Sequence, residues 1–347
     1  MSAGSLMALP LSGRLVTRVG ALTAIRLGMG MALVSNLVVG LGVTVFDNRW
    51  LLSLGLMGLG LGVAAWDVAM NLEGATVERH LGRTVMPHYH AAFSAGTVVA
   101  ALIGSLMSYA GVSILAHLTV SAVFVTAVGW WATGRLLPED EVAAEEAAVA
   151  TEQAQRSAWR EPRTLVIGLV VFAAAFTEGA ANDWMAVAFV DGHDVPRWAG
   201  TLAFAVFLTF MTLGRVLGSS LIDRYGRVVM VRSTFALAIV GALMVIFGNT
   251  ALAYLGAAVW GVGAALGFPV GMSASADDPR RAAARMSVVA TVGYGAFIAG
   301  PPLLGFLGDH FGVLSSLLVV AALLVVALFA VPGVREPSAR QPVGPAA

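Results

Sequence analysis

The sequence predicts an all-α membrane protein with about ten full membrane-spanning helices, and three observations lead there. Of its 347 residues, 58% are hydrophobic and only 12% charged, whereas a soluble domain carries about 25% charged residues. The apolar residues fall in blocks of about twenty or more, each long enough at 1.5 Å per residue to cross a hydrocarbon core of about 30 Å. Several such blocks cannot be hidden inside one soluble core. Many of the forty glycines lie within these blocks. There they suit close helix crossings, because lipid tails are as apolar as the helices and small residues let backbones approach.

Apolar blocks bounded by charged residues or Pro/Gly breaks mark ten spans, near residues 22–45, 51–76, 89–110, 112–134, 164–189, 198–221, 228–247, 250–273, 286–307 and 312–332. A short apolar stub over 1–12 precedes them. The longest polar stretch, 137–162, is rich in Ala and Glu and divides the chain into an incomplete N-terminal bundle (1–136) and a six-helix C-terminal bundle (163–334), with a tail at 335–347. All twenty basic residues are arginine, and they collect on one set of loops. Arg14, Arg18, Arg26, Arg79, Arg83, Arg224, Arg227, Arg232, Arg280, Arg281 and Arg285 fall on that side, while Arg49 and Arg197 alone fall on the other. Positive charge near short loops is retained in the cytoplasm. The linker and C-terminus are therefore expected inside, in a plasma (inner) membrane. The first residues lack the basic region and cleavage site of a signal peptide.

The formal charge is zero and no basic cluster stands outside the loops, which leaves no electrostatic case for a nucleic-acid partner. With no cysteine there is no disulfide, thiolate metal site or cysteine nucleophile. The string GLGLG at 58–62 lies inside an apolar span with no strand before it, so it reads as helix packing and not as a dinucleotide loop. No metal-ligand spacing, nucleophile elbow or phosphate loop is present; enzyme chemistry, a cofactor and a metal are not expected.

The two halves repeat. GRLVTRVG at 13–20 and SSLIDRYG at 219–226 both close an apolar span at a turn, 206 residues apart, and LGLGV at 59–63 recurs as WGVGA at 260–264, 201 apart. A shared spacing of about 200 is what parallel structural repeats predict. Carried back from residue 163, it starts the first half about 43 residues before Met1, so the first helix and most of the second are expected to be missing.

The turn SLIDRYGRVVMVR resembles the signature between paired helices of the major facilitator superfamily. Asp223, Arg224, Gly226 and Arg227 match its pattern; the first copy keeps Gly13, Arg18 and Gly20 but has Thr17 where the acid belongs. DVAMN at 67–71, EGAANDW at 178–184 and GPPLLG at 300–305 are similar to bacterial permeases related to the fucose permease group. The resemblance implies two pseudo-symmetric six-helix bundles that rock about a solute site near the bilayer midplane. It also implies secondary transport of a small polar solute, coupled to protons, by a monomer in the lipid bilayer. A drug or metabolite exporter, a non-transporting sensor and, given the expected loss of the first helix, an inactive chain are the alternative readings.

Ionisable groups within spans carry the chemistry, since a charge at the bilayer centre costs at least about 2.5 kcal/mol and needs compensation. Asp67 has Asn71 four residues on, and Glu178 has Asn182 four residues on, each amide on the same helix face as its carboxylate. These four and Asp183 are the expected substrate or proton-coupling residues. Arg215 is expected to snorkel to the interface, and Phe268, Tyr294 and Trp260 are weaker cavity candidates. Gly13, Arg18, Gly20, Asp223, Arg224, Gly226 and Arg227 form the expected cytoplasmic gating motif.

Overall fold

A computed structural model describes residues 2–136 and 158–337, and among them there is no β-strand. The elements in order are α1 (Ser2–Val19), α2 (Ala21–Thr44), α3 (Arg49–Leu81), α4 (Met86–Tyr109) and α5 (Ile114–Thr133), then α6 (Pro162–Val187) with a π-turn at Ala188–Gly192, α7 (Arg197–Tyr225), α8 (Arg227–Phe247), α9 (Thr250–Ala264), α10 (Gly267–Ser275), α11 (Ala282–Phe311), α12 (Val313–Ser316) and α13 (Leu318–Ala330). All ten expected spans are present as helix, with α9–α10 and α12–α13 each forming one span in two pieces. Among the described residues, nine helical stretches are both long and apolar enough to cross a membrane.

Helix starts are fixed by short polar side chains, which accept hydrogen bonds from N–H groups that have no partner within the helix. The Asn48 side chain accepts from the backbone N–H of Trp50 at 2.9 Å and of Leu51 at 3.2 Å, and Asn249 accepts from Leu252 at 2.9 Å. These two caps lie 201 residues apart. The other repeat spacing is equally visible in the backbone. Gly20 (φ 79°, ψ 158°) and Gly226 (φ 81°, ψ 158°) turn the chain identically between α1 and α2 and between α7 and α8, in a φ range that residues with a Cβ avoid.

In the first half α3 packs on α1 and α2, and α2 on α5. In the second, α6 is the enclosed centre against α11, α10, α13 and α7, with α8 pressed on α9. Glycine sets that last crossing: a Cβ on Gly241 would lie 2.3 Å from the Trp260 backbone nitrogen, and one on Gly256 would lie 2.8 Å from the Gly241 carbonyl oxygen. The halves meet through α1 against α11 and α4 against α7.

Two expectations need correction or restriction. The stub expected at 1–12 is a helix through Val19. Its polar end is absorbed by packing on α3 and α11 and by the buried Ser12 hydroxyl donating to the Ala8 carbonyl at 2.9 Å. Most of the 137–162 linker and of the 335–347 tail lies outside the described residues.

The span 250–275 is interrupted at Ala265–Leu266. Pro269 has no N–H, so the carbonyl of Ala265, four residues earlier, has no helical donor and is left to a side chain.

Candidate functional site

A cavity of about 540 Å³ lies between the halves. The first half supplies Asp67, Asn71 and Glu73 from α3 with Tyr89, His90 and Phe93 from α4; the second supplies Glu178, Arg215, Phe268, Tyr294 and Phe297. Asp67, Asn71 and Glu178, singled out in the sequence, are thus brought to one wall-to-wall site from opposite halves. The Asn71 amide donates to Asp67 Oδ1 at 3.1 Å and to the Asp67 carbonyl at 2.9 Å. This is the four-residue spacing of one helix face. Asp67 Oδ2 is shielded from solvent, and Tyr294 stands against this carboxylate. His90 lies edge-on to Phe268 with ring centroids 5.3 Å apart, and its Nε2 is buried with no hydrogen-bond partner among the described residues.

Arg215 does not snorkel. Its side chain is 2% exposed and its terminal nitrogen donates to Glu178 Oε2 at 2.8 Å, with Glu178 15% exposed. Its Nε donates to the Ala265 carbonyl at 3.3 Å, the acceptor that Pro269 frees. The remaining nitrogen crosses to the other half, donating to the His90 carbonyl at 3.3 Å and to the Ser94 hydroxyl. All branches of the guanidinium find acceptors in the interior, so the interface offers it nothing.

Asn182 and Asp183 are exposed and are not part of this lining. Asn182 lies one turn beyond Glu178, away from the arginine-rich end. Of the aromatic candidates, Phe268 and Tyr294 line the cavity, whereas Trp260 is fully buried edge-on to Phe207 at 6.1 Å.

The repeated turns gather at the arginine-rich end. Gly13 lets α1 touch α11: a Cβ there would lie 2.6 Å from the Ala283 carbonyl oxygen. Asp223 accepts from the backbone N–H of Thr84 at 2.9 Å, and Glu78 accepts from those of Val85 and Met86 at 2.8 and 2.7 Å. Two carboxylates from different halves thus sit at the positive N-terminus of α4. Arg227 binds Asp277 at 2.7 Å, the Ser273 hydroxyl at 2.9 Å and Glu78 at 4.0 Å, while Ser273 also donates to Glu78 and Arg163 pairs with Asp277. Arg224 lies over its neighbour Tyr225 at 5.2 Å, and Arg18 is exposed. In the second copy of the motif, Asp223 and Arg227 bear these polar contacts. Glu78, Ser273 and Asp277 were not anticipated; the run of acids and arginines at 73–83 was the available signal.

The sequence profile of the family described as Major Facilitator Superfamily matches residues 1–295 and again 198–346. The chain belongs to this superfamily. It is similar to the transporter y4wD of Sinorhizobium fredii, 30% identical over 310 residues that cover 88% of this chain and 79% of the relative. Among solved structures it is similar in fold to the E. coli fucose:proton symporter FucP, with a TM-score of 0.78 at 13% identity over 97% of this chain and 91% of that one. It is also similar to the proton:xylose symporter XylE, with a TM-score of 0.71 at 12% identity over 94% and 83% of the two chains. As a major facilitator this chain is a multi-pass membrane transporter.

Proposed function

We propose that this major facilitator is a proton-coupled permease for a small polar solute, acting by alternating access as a monomer in the plasma membrane with its arginine-rich end and C-terminus in the cytoplasm. One observation carries the reading: Asp67 from the first half and Glu178 from the second line the same cavity. Intramembrane carboxylates are expensive and mark ion or solute pathways. His90 Nε2 is buried without a partner among the described residues, and the Asp67 carboxylate faces the same cavity beside Tyr294, which gives a solute two places to hydrogen-bond. The aromatic walls Phe93, Phe268, Phe297 and Tyr294 suit a compact ring presenting C–H faces between polar edges. FucP and XylE, two proton symporters, share the fold. Hydrogen bonds between the halves cluster toward the arginine-rich end, and none joins their opposite loops among the described residues. We read this arrangement as the outward-facing stage of the cycle.

The test is solute-dependent proton flux in proteoliposomes under an imposed pH gradient. Asp67→Asn and Glu178→Gln should each abolish coupling while the protein remains folded; unchanged coupling in both defeats the assignment. The apolar share of the wall, with Met70 and three phenylalanines, favours a second reading as an exporter of amphipathic metabolites. That reading gains if loaded vesicles lose such compounds down an inward proton gradient and take up no polar solute. Solute-dependent stabilisation without any flux points to a sensor.

A further inference from the structure

The guanidinium of Arg215 is divided between the two halves. Nε and one terminal nitrogen are held within the second half, by the Ala265 carbonyl at 3.3 Å and Glu178 at 2.8 Å. The other terminal nitrogen reaches α4 of the first half, at the His90 carbonyl (3.3 Å) and the Ser94 hydroxyl. A guanidinium is planar and rigid, so the groups that bind two of its nitrogens decide where the third one points. Glu178 thereby aims Arg215 at α4. The bonds to α4 exist only while the halves are closed together at the arginine-rich end, because opening there separates α4 from α7, which carries Arg215.

We propose that Arg215 is a positioning residue that makes closure of the arginine-rich end depend on the charge of Glu178. With Glu178 ionised, the guanidinium has its counter-charge and its cross-half bonds, and the closed arrangement is favoured. Neutralising Glu178, by a proton or by a solute group that takes its place on the carboxylate, leaves a cation enclosed in the cavity without a paired anion. A buried unpaired charge is strongly unfavourable. Opening the arginine-rich end to water relieves it, at the cost of the two bonds to α4. The other titratable groups facing this site are Asp67 and Glu73 on α3, Tyr89 and His90 on α4, and Tyr294 on α11. None of them forms an ion pair with Arg215, whose carboxylate partner among the described residues is Glu178. Ser94 has no titratable group, so it offers an independent handle on the same latch from the other half.

This inference rests on reading the cavity as the transport site, but its test reads conformation and not flux. The chain has no cysteine, so one reporter cysteine at a time can be placed at Ala75→Cys, buried in the seam between the halves at the arginine-rich end, or at Asn182→Cys, exposed beyond the cavity toward the other end. Alkylation rates with a membrane-impermeant maleimide are measured on each face of vesicles containing the full chain. Glu178→Gln and Ser94→Ala should each speed labelling at position 75 and slow it at position 182 by about tenfold, the population shift expected from one hydrogen bond to a charge. Arg215→Lys should shift both sites in the same directions, because an ammonium group cannot form the divided fork. Unchanged rates at both sites, or rates that rise together at both, overturn the proposal. The second outcome is what mere loosening of the fold produces. Proton flux insensitive to Asp67→Asn and Glu178→Gln, with reciprocal labelling intact, would remove the coupling assignment and leave the latch standing.

Discussion

The crossing of α8 and α9 gives a sharp stability prediction. In Gly241→Ala the new methyl lies 2.3 Å from the Trp260 nitrogen, 2.7 Å from the Gly256 oxygen and 2.7 Å from the Trp260 Cα, against 3.4 Å where ordinary contact begins. All three atoms are backbone, so no side chain can swing aside. The two helices must move apart by about 1 Å, and Trp260, fully buried against Phe207, must follow. Overpacking of this kind costs about 1–3 kcal/mol. Alanine returns at most about 1 kcal/mol through its better helix propensity, so a net loss of about 1–2 kcal/mol is expected. Gly30→Ala on α2 is the matched control: a Cβ there meets nothing within 4 Å, so the propensity gain of up to about 1 kcal/mol stands alone. Thermal melting of the detergent-solubilised protein, followed through its eight tryptophans, measures both. A lower melting temperature for Gly241→Ala with an unchanged or higher one for Gly30→Ala is expected. If the two variants shift alike, glycine does not act here as a contact surface.

Two further predictions concern the arginine-rich end. Asp277, 6% exposed and paired with both Arg163 and Arg227, should lose about 3 kcal/mol of stability as Asp277→Asn, since two cations then share one neutral acceptor; the loss should change little between low and high salt. Asp223 is exposed and meets the first turn of α4 through Thr84, so Asp223→Asn should cost only about 0.5–1 kcal/mol, and melting curves at high salt should shrink the difference further.

How far the sequence could be read follows from what each feature depends on. The spans were legible because length and apolarity are local properties, and the repeat was legible because a glycine-ended turn and a glycine-rich helix string recur wherever the same turn and crossing recur. Asp67 and Glu178 were legible as carboxylates that lipid would not tolerate. Arg215 was misread because its partners lie on other helices: Glu178 is 37 residues away and Ser94 is 121. Whether a charged side chain finds such acceptors depends on the rotation of each helix about its axis, which packing decides. Residues 1–12 were misjudged for a related reason. A helix ending in Ser12, Gly13 and Arg14 looks too polar to continue until α3 and α11 are seen to cover it. Asn182 was grouped with Glu178 by helical spacing alone, which sets a common face but not the depth at which that face opens to solvent.

Pro269 has turned one membrane-crossing rod into two arms that meet at an elbow. The longer arm, α9, is fastened to α8 through glycine and cannot slide without disturbing the bundle behind it. The shorter arm, α10, carries Ser273 against Glu78 of the other half and leads directly to Asp277. A displacement at the arginine-rich end can therefore be taken up by nine residues pivoting at Ala265–Leu266. The carbonyl exposed by that pivot is the one Arg215 holds, so the elbow and the latch share an atom, and a swing of the short arm is felt first at the centre of the membrane.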